Sequence, residues 1–231
     1  MKGNIYGEVP SLLFSLKLTV KVNTSKMALI PFKNPSTMIL SGCTGSGKTS
    51  WLVRLLKHKE EMFESKVEHI FYHYGVWQDI FHELEIQGVE FHQGLPSSTP
   101  NYPKQSLIIL DDLQDQVANC KVVEQLFTRG SHHNAWTVIY LTQNLFNQGK
   151  CSRNIALNAH YTVLFKNPRD IQQIAVLGRQ LGDTQLLREA YKDATTPPYG
   201  YLVIDLSPHS SSEYRYRTQV FPGEYPIVYK E

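Results

Sequence analysis

The sequence predicts an α/β fold in three layers, with a mostly parallel central sheet and helices on both faces. Three observations predict it. Met38, Ile39 and Leu40 form a short apolar run, a glycine-rich segment follows from Gly42 to Thr49, and Trp51, Leu52, Leu55 and Leu56 then recur at helical spacing. Leu107 to Leu110 is a continuous apolar run closed by Asp111-Asp112, as expected of a parallel strand covered on both faces. Trp136 to Leu141 is a further strand of this kind, running straight into Thr142-Gln143-Asn144.

The remaining elements follow in chain order. Phe14, Leu16, Leu18, Val20 and Val22 alternate with Ser15, Lys17, Thr19 and Lys21, the period of a half-buried strand ahead of the core. His69 to Tyr74 reads as a core strand, with His69 and His73 on one face as packing residues. Pro96 to Pro103 is a loop. Val122, Val123, Leu126 and Phe127 make one helical stripe, ended by Gly130. After a strand at Tyr161 to Phe165, two helices are expected, one carrying Ile171, Ile174 and Ala175, the other Leu186, Leu187, Ala190 and Tyr191, with Gly182-Asp183 between them. Tyr201 to Leu206 and Tyr214 to Phe221 are β again. These short terminal strands are expected to form a small added sheet, dividing the chain into a β extension at 1–34, a core at 35–195 and a β segment at 196–231, packed together as a single domain.

Gly42 to Thr49 reads Gly-Cys-Thr-Gly-Ser-Gly-Lys-Thr, a full match to the phosphate-binding pattern G-x-x-x-x-G-K-[ST] between a strand and a helix. Such a P-loop turns successive N–H groups towards phosphate oxygens and adds the positive end of a helix. The three-layer fold is therefore expected to be that of the P-loop NTPases. Gly42, Cys43, Thr44, Gly45, Ser46, Gly47, Lys48, Thr49 and Ser50 are the expected ATP-binding residues, with Lys48 reaching the β- and γ-phosphates and the Thr49 hydroxyl on Mg²⁺. Asp111, ending the Walker B strand, is the second Mg²⁺ residue. Asp112 is placed to polarise the attacking water, and Gln143, at the tip of the next strand, to bond that water or the γ-phosphate.

The order of P-loop, Asp-Asp Walker B, a helix ending in Thr-Arg-Gly-Ser-His-His-Asn and a strand ending in Thr-Gln-Asn resembles the FtsK/HerA branch of P-loop ATPases. It is most similar there to the viral genome-packaging ATPases of Maverick/Polinton elements, adenovirus-like viruses and poxviruses. The similarity spans roughly Pro35 to Asp170. In that family a glutamine closes the strand after Walker B, where Gln143 stands, and Cys151-Ser152-Arg153-Asn154 resembles a downstream Arg-x-Asn region. The family usually has Glu after the Walker B aspartate, where this chain has Asp112. The resemblance implies a homo-oligomeric ring on double-stranded DNA, with a capsid or portal protein as partner. Arg129 and Arg153 are the candidates for an arginine supplied to a neighbour's site, a device worth about 10³ to 10⁵ in rate in such enzymes. Either could instead be a surface arginine paired to a carboxylate.

Composition narrows the choice further. With 231 residues, 42% of them hydrophobic, the chain can bury one α/β core, and no room is expected for a second enzyme domain such as the nuclease of tailed-phage terminases. A formal net charge of +2 excludes coating DNA by bulk charge, so nucleic-acid contact must be local. Two basic loops are candidates, Gly149 to Asn154 and Lys166 to Arg169. Tyr214-Arg215-Tyr216-Arg217 would place tyrosines on one strand face and arginines on the other, for stacking and phosphate contact or simply as an edge strand. Cys43, Cys120 and Cys151 are unpaired in spacing, which points to a reducing, intracellular setting, and no apolar stretch approaches membrane-span length. Two other functions stay open: a small-molecule P-loop kinase, and a nucleotide-dependent scaffold that no longer hydrolyses because Asp112 replaces Glu.

Overall fold

Strands β1 (Thr37–Ser41), β2 (His69–Tyr74), β3 (Val89–Gln93), β4 (Ser106–Asp111), β5 (Thr137–Thr142) and β6 (Tyr161–Phe165) pair in parallel in the order β3-β2-β4-β5-β1-β6. The structure, a computed structural model, describes residues 29–85, 88–97, 100–130, 134–146, 149–169 and 171–230. The alternating segment at 14–22 lies outside the described residues. Beyond β6 the sheet continues through β7 (Tyr201–Asp205), β8 (Tyr216–Thr218) and β9 (Ile227–Tyr229), each antiparallel to its neighbour. The C-terminal strands thus extend the core sheet instead of forming a separate small one.

Alternation along the strands divides the core in two. Met38 and Leu40 of β1 face helix α1 (Lys48–Lys57), which buries Trp51, Leu52, Leu55 and Leu56 against them, while Ile39 faces the opposite layer. Burying one such side chain fully is worth roughly 1.5–3 kcal/mol. Short helices α2 (Lys59–Met62) and α3 (His82–Glu85) complete the first layer through Met62 and Leu84. The second layer holds α4 (Gln114–Val117), α5 (Lys121–Gln125), α6 (Lys150–Leu157), α7 (Ile171–Leu181) and α8 (Thr184–Ala194), which bury Val117, Val123, Ile155, Ile174 and Leu187 among their residues. This is a three-layer, mostly parallel α/β fold. No helix among the described residues is long and apolar enough to cross a membrane.

Several expectations are corrected. Residues Lys150 to Asn154 are not a loop but the start of α6, because Cys151 and Ile155, four apart, dock as one face on the second layer. The Tyr214 to Arg217 segment is not a nucleic-acid face. Tyr214 lies in a 3₁₀ turn, and Arg217 is only 2% exposed, its guanidinium donating to the buried Asp205 carboxylate at 3.4 Å. Arg215 and the Tyr216 hydroxyl both donate to Asp183, each at 3.0 Å. Strand β8 lies between β7 and β9, so its residues are held from both sides. His73 packs inside the sheet layer, with its ring nitrogens 2.7 Å from the Tyr102 hydroxyl and 3.1 Å from the Gly94 carbonyl.

Candidate functional site

The C-terminal ends of β1, β4 and β5 meet along one edge of the sheet, the edge at which open α/β sheets bind their ligands. Ser41 ends β1 beside Thr142 of β5, and the Gly42 amide donates to the Thr142 carbonyl at 3.2 Å, tying the P-loop to the strand that precedes Gln143. Helix α1 begins at Lys48. Its N-cap, Gly47, has φ 101°, a left-handed conformation that favours glycine and lets the loop turn into the helix.

Lys48 carries the site's ammonium. Its Nζ donates to the Gly42 carbonyl at 2.6 Å and to the Cys43 carbonyl at 3.1 Å. Burial lowers its pKa, and the nearby Asp111, Cys43 and Asp112 oppose that shift. Asp111, at the end of β4, is 5% exposed and accepts a hydrogen bond from the Tyr72 hydroxyl of β2 at 2.7 Å. Desolvation raises its pKa. The Tyr72 bond and Lys48 pull the other way.

Asp112 has left β4. Its φ of 54° is again left-handed, which among non-glycine residues Asp and Asn tolerate best. Its carbonyl lies against Gly75, where an added Cβ would come within 2.2 Å of the oxygen, so close approach at the end of β2 helps fix this turn. Gln143 is exposed, and its backbone is held by two amide side chains: its N–H donates to the Gln114 Oε1 at 3.2 Å, and its carbonyl accepts from the Asn167 Nδ2 at 3.5 Å.

Lys48, Thr49, Asp111, Asp112 and Gln143 line one cleft of about 140 Å³, together with Thr44 and Gly45 of the P-loop. Thr49 and Asp111 supply a hydroxyl and a carboxylate there, the hard oxygen donors that suit Mg²⁺. Two cleft residues were missed from the sequence, Gln78 and Gln114. Both follow the ends of core strands at this edge, and that placement is the signal that marks them.

The two candidate arginines belong to other elements. Arg153 is exposed on α6 and lines a different cavity, of about 460 Å³, with Leu145 and Val176. The backbone of Arg129 lies in a π-helical turn (Leu126–Gly130) leading to the N-terminal end of β5, whereas Gln143 follows the C-terminal end. Six residues of strand separate those ends, roughly 20 Å. The Arg129 side chain lies outside the described part of the structure. The basic loop at 166–169 begins where β6 ends, beside the P-loop, and the Cys43 thiol donates to the Lys166 carbonyl at 3.3 Å. Lys166 and Arg169 are exposed on it.

No protein-family model matches the sequence, and no curated protein is similar enough in sequence to count as a relative. Solved structures do match in fold. The genome packaging NTPase B204 from Sulfolobus turreted icosahedral virus 2, in complex with sulfate, aligns with a TM-score of 0.50 and 11% identity, over 84% of this chain and 96% of that one. The cytoplasmic domain of the Thermomonospora curvata Type VII secretion ATPase EccC aligns with a TM-score of 0.49 and 13% identity over 84% of this chain and 25% of that one. The flagellar accessory protein FlaH from Methanocaldococcus jannaschii gives 0.47 and 13% identity, over 87% of this chain and 91% of FlaH. The fold of this chain is that of the P-loop NTPases.

Proposed function

We propose that the chain is an ATP-hydrolysing motor subunit, working in a homo-oligomeric ring that packages double-stranded DNA. The observation that carries the hydrolytic part is the meeting of Lys48, Thr49, Asp111, Asp112 and Gln143 in one cleft. The loop amides and the N-terminus of α1 hold the phosphates of ATP. Lys48, whose ammonium already lies on the loop carbonyls, turns to the β- and γ-phosphates. Thr49 and Asp111 would hold Mg²⁺, with Tyr72 fixing one carboxylate oxygen. Bound there, the ion would neutralise charge on the transferring phosphoryl group. Asp112 accepts the proton of the attacking water, and Gln143 orients that water from the tip of the neighbouring strand. An arginine of a neighbouring subunit, Arg129 or Arg153, then meets the γ-phosphate; Arg153 lines a separate cavity of its own chain.

The DNA-packaging part rests on the motif order and on Lys166 and Arg169. These exposed cations lie on a loop whose Asn167 bonds the Gln143 carbonyl, so phosphate contact by DNA and water positioning share one short connection. A capsid or portal protein would anchor the ring. The test is ATP turnover with added duplex DNA and with added nucleosides. Stimulation by duplex DNA and none by nucleosides supports the motor. Phosphorylation of a nucleoside would establish the kinase instead, and tight ATP binding without turnover would establish the scaffold.

A further inference from the structure

We propose that Tyr199 is the platform on which the base of the bound nucleotide stacks, an inference that rests on the nucleotide-binding reading of the cleft. Residues Pro197 to Gly200 form a turn between α8 and β7, closed by the Gly200 amide donating to the Pro197 carbonyl at 3.0 Å. Pro198 occupies the second position and Tyr199, with φ 58°, the third. That is the signature of a type II turn, in which glycine or asparagine ordinarily fills the left-handed third position. A bulky aromatic held there is backbone strain of the kind that collects at ligand sites.

The placement gives that strain a use. The turn sets the Tyr199 side chain against the P-loop, so that a Cβ built on Gly47 would lie 3.1 Å from its ring and 3.2 Å from its own Cβ. Tyr199 is nevertheless 73% exposed, which leaves an aromatic surface open to solvent beside the loop that binds phosphate. The base of a nucleoside triphosphate lies one ribose beyond its α-phosphate. With the phosphates in the loop, it is carried to the rim where Gly47 and Tyr199 meet. Stacking on a phenol ring tolerates any base, so this contact adds affinity for nucleotides as a class and does not choose among them.

The test compares a non-hydrolysable ATP analogue with inorganic tripolyphosphate, each with magnesium, by calorimetric titration of the full chain. Tyr199→Gly removes the ring while accepting the turn's backbone. It should weaken the analogue about 5- to 150-fold, the range that base–aromatic stacking is worth, and leave tripolyphosphate unchanged. A guanine analogue should lose as much as the adenine one, and Tyr199→Phe should keep parental affinity for both. Parental affinity for the analogue in Tyr199→Gly overturns the proposal, as does an equal loss of tripolyphosphate, which would mean that the ring only braces Gly47. A Lys48→Ala chain that still binds tripolyphosphate at parental affinity would instead remove the reading of the cleft, and the platform with it.

Discussion

Lys48, Asp111 and Asp112 crowd opposite charges into a small cleft, and each side chain has a separable consequence. Lys48→Ala removes the ammonium aimed at the phosphates, so ATP hydrolysis should fall to background and nucleotide affinity should drop in a binding titration. Asp112→Asn keeps size and a left-handed backbone, so it should bind ATP as tightly as the parent and trap it unhydrolysed in a single-turnover assay. Asp112→Glu is the less innocent change. At φ 54° glutamate lacks the local tolerance of aspartate and costs about 1 kcal/mol, a melting shift of about 2–4 °C for a chain of this size. Tyr72→Phe removes the hydroxyl that donates to Asp111, a charge-assisted bond worth roughly 1.5–3 kcal/mol, and hydrolysis should then need more magnesium for half-maximal rate.

Among the elements, β2 and β8 carry groups whose burial can be read in stability. His73 of β2 is held neutral, its pKa lowered to about 4 chiefly by burial. Because the unfolded chain takes up that proton near pH 6.5 and the folded chain only near 4, the stabilisation is whole above pH 6.5 and is lost as pH falls towards 4. Urea midpoints should drop over that window in the parent, and less steeply in His73→Gln. In β8, Arg217→Ala would strand the Asp205 carboxylate in the core, at a cost on the order of 3–5 kcal/mol seen as a lower urea midpoint. The same contrast marks what the sequence made legible. Strands β1, β4, β5 and β6 are buried throughout around continuous or nearly continuous apolar runs and were plain. Strand β3 was not, because Glu90 and His92 alternate with Val89 and Phe91 at a half-exposed edge, and β9 has only Ile227, Val228 and Tyr229 to mark it. The alternation at Tyr214 to Arg217 suggested an outward arginine face, but partners distant in sequence, Asp183 and Asp205, decided the matter. In the cleft, the P-loop and the two carboxylates were visible as motifs, while Gln78, in a loop, and Gln114, at the start of α4, belong to no motif and come to the site only through the order of the strands, as does Tyr199 beside Gly47.

At the scale of the whole molecule, the nucleotide cleft, the P-loop and the basic loop at 166–169 share one edge of the sheet, while the backbone of Arg129 lies towards the other end of β5. A ring that places one subunit's arginine against the next subunit's cleft would make hydrolysis a property of the interface. Mixing Arg129→Ala with Lys48→Ala subunits, each inactive alone, should then restore part of the turnover, because some interfaces pair an intact P-loop with an intact arginine. Restoration with Arg153→Ala in place of Arg129→Ala would move that role to α6. The most direct test of the motor itself is displacement of a third strand from a linear duplex. The account predicts that the parent protein strips the third strand with ATP, and that it fails with a non-hydrolysable analogue or as Asp112→Asn. Sustained ATP hydrolysis on the duplex that never displaces the third strand would contradict it.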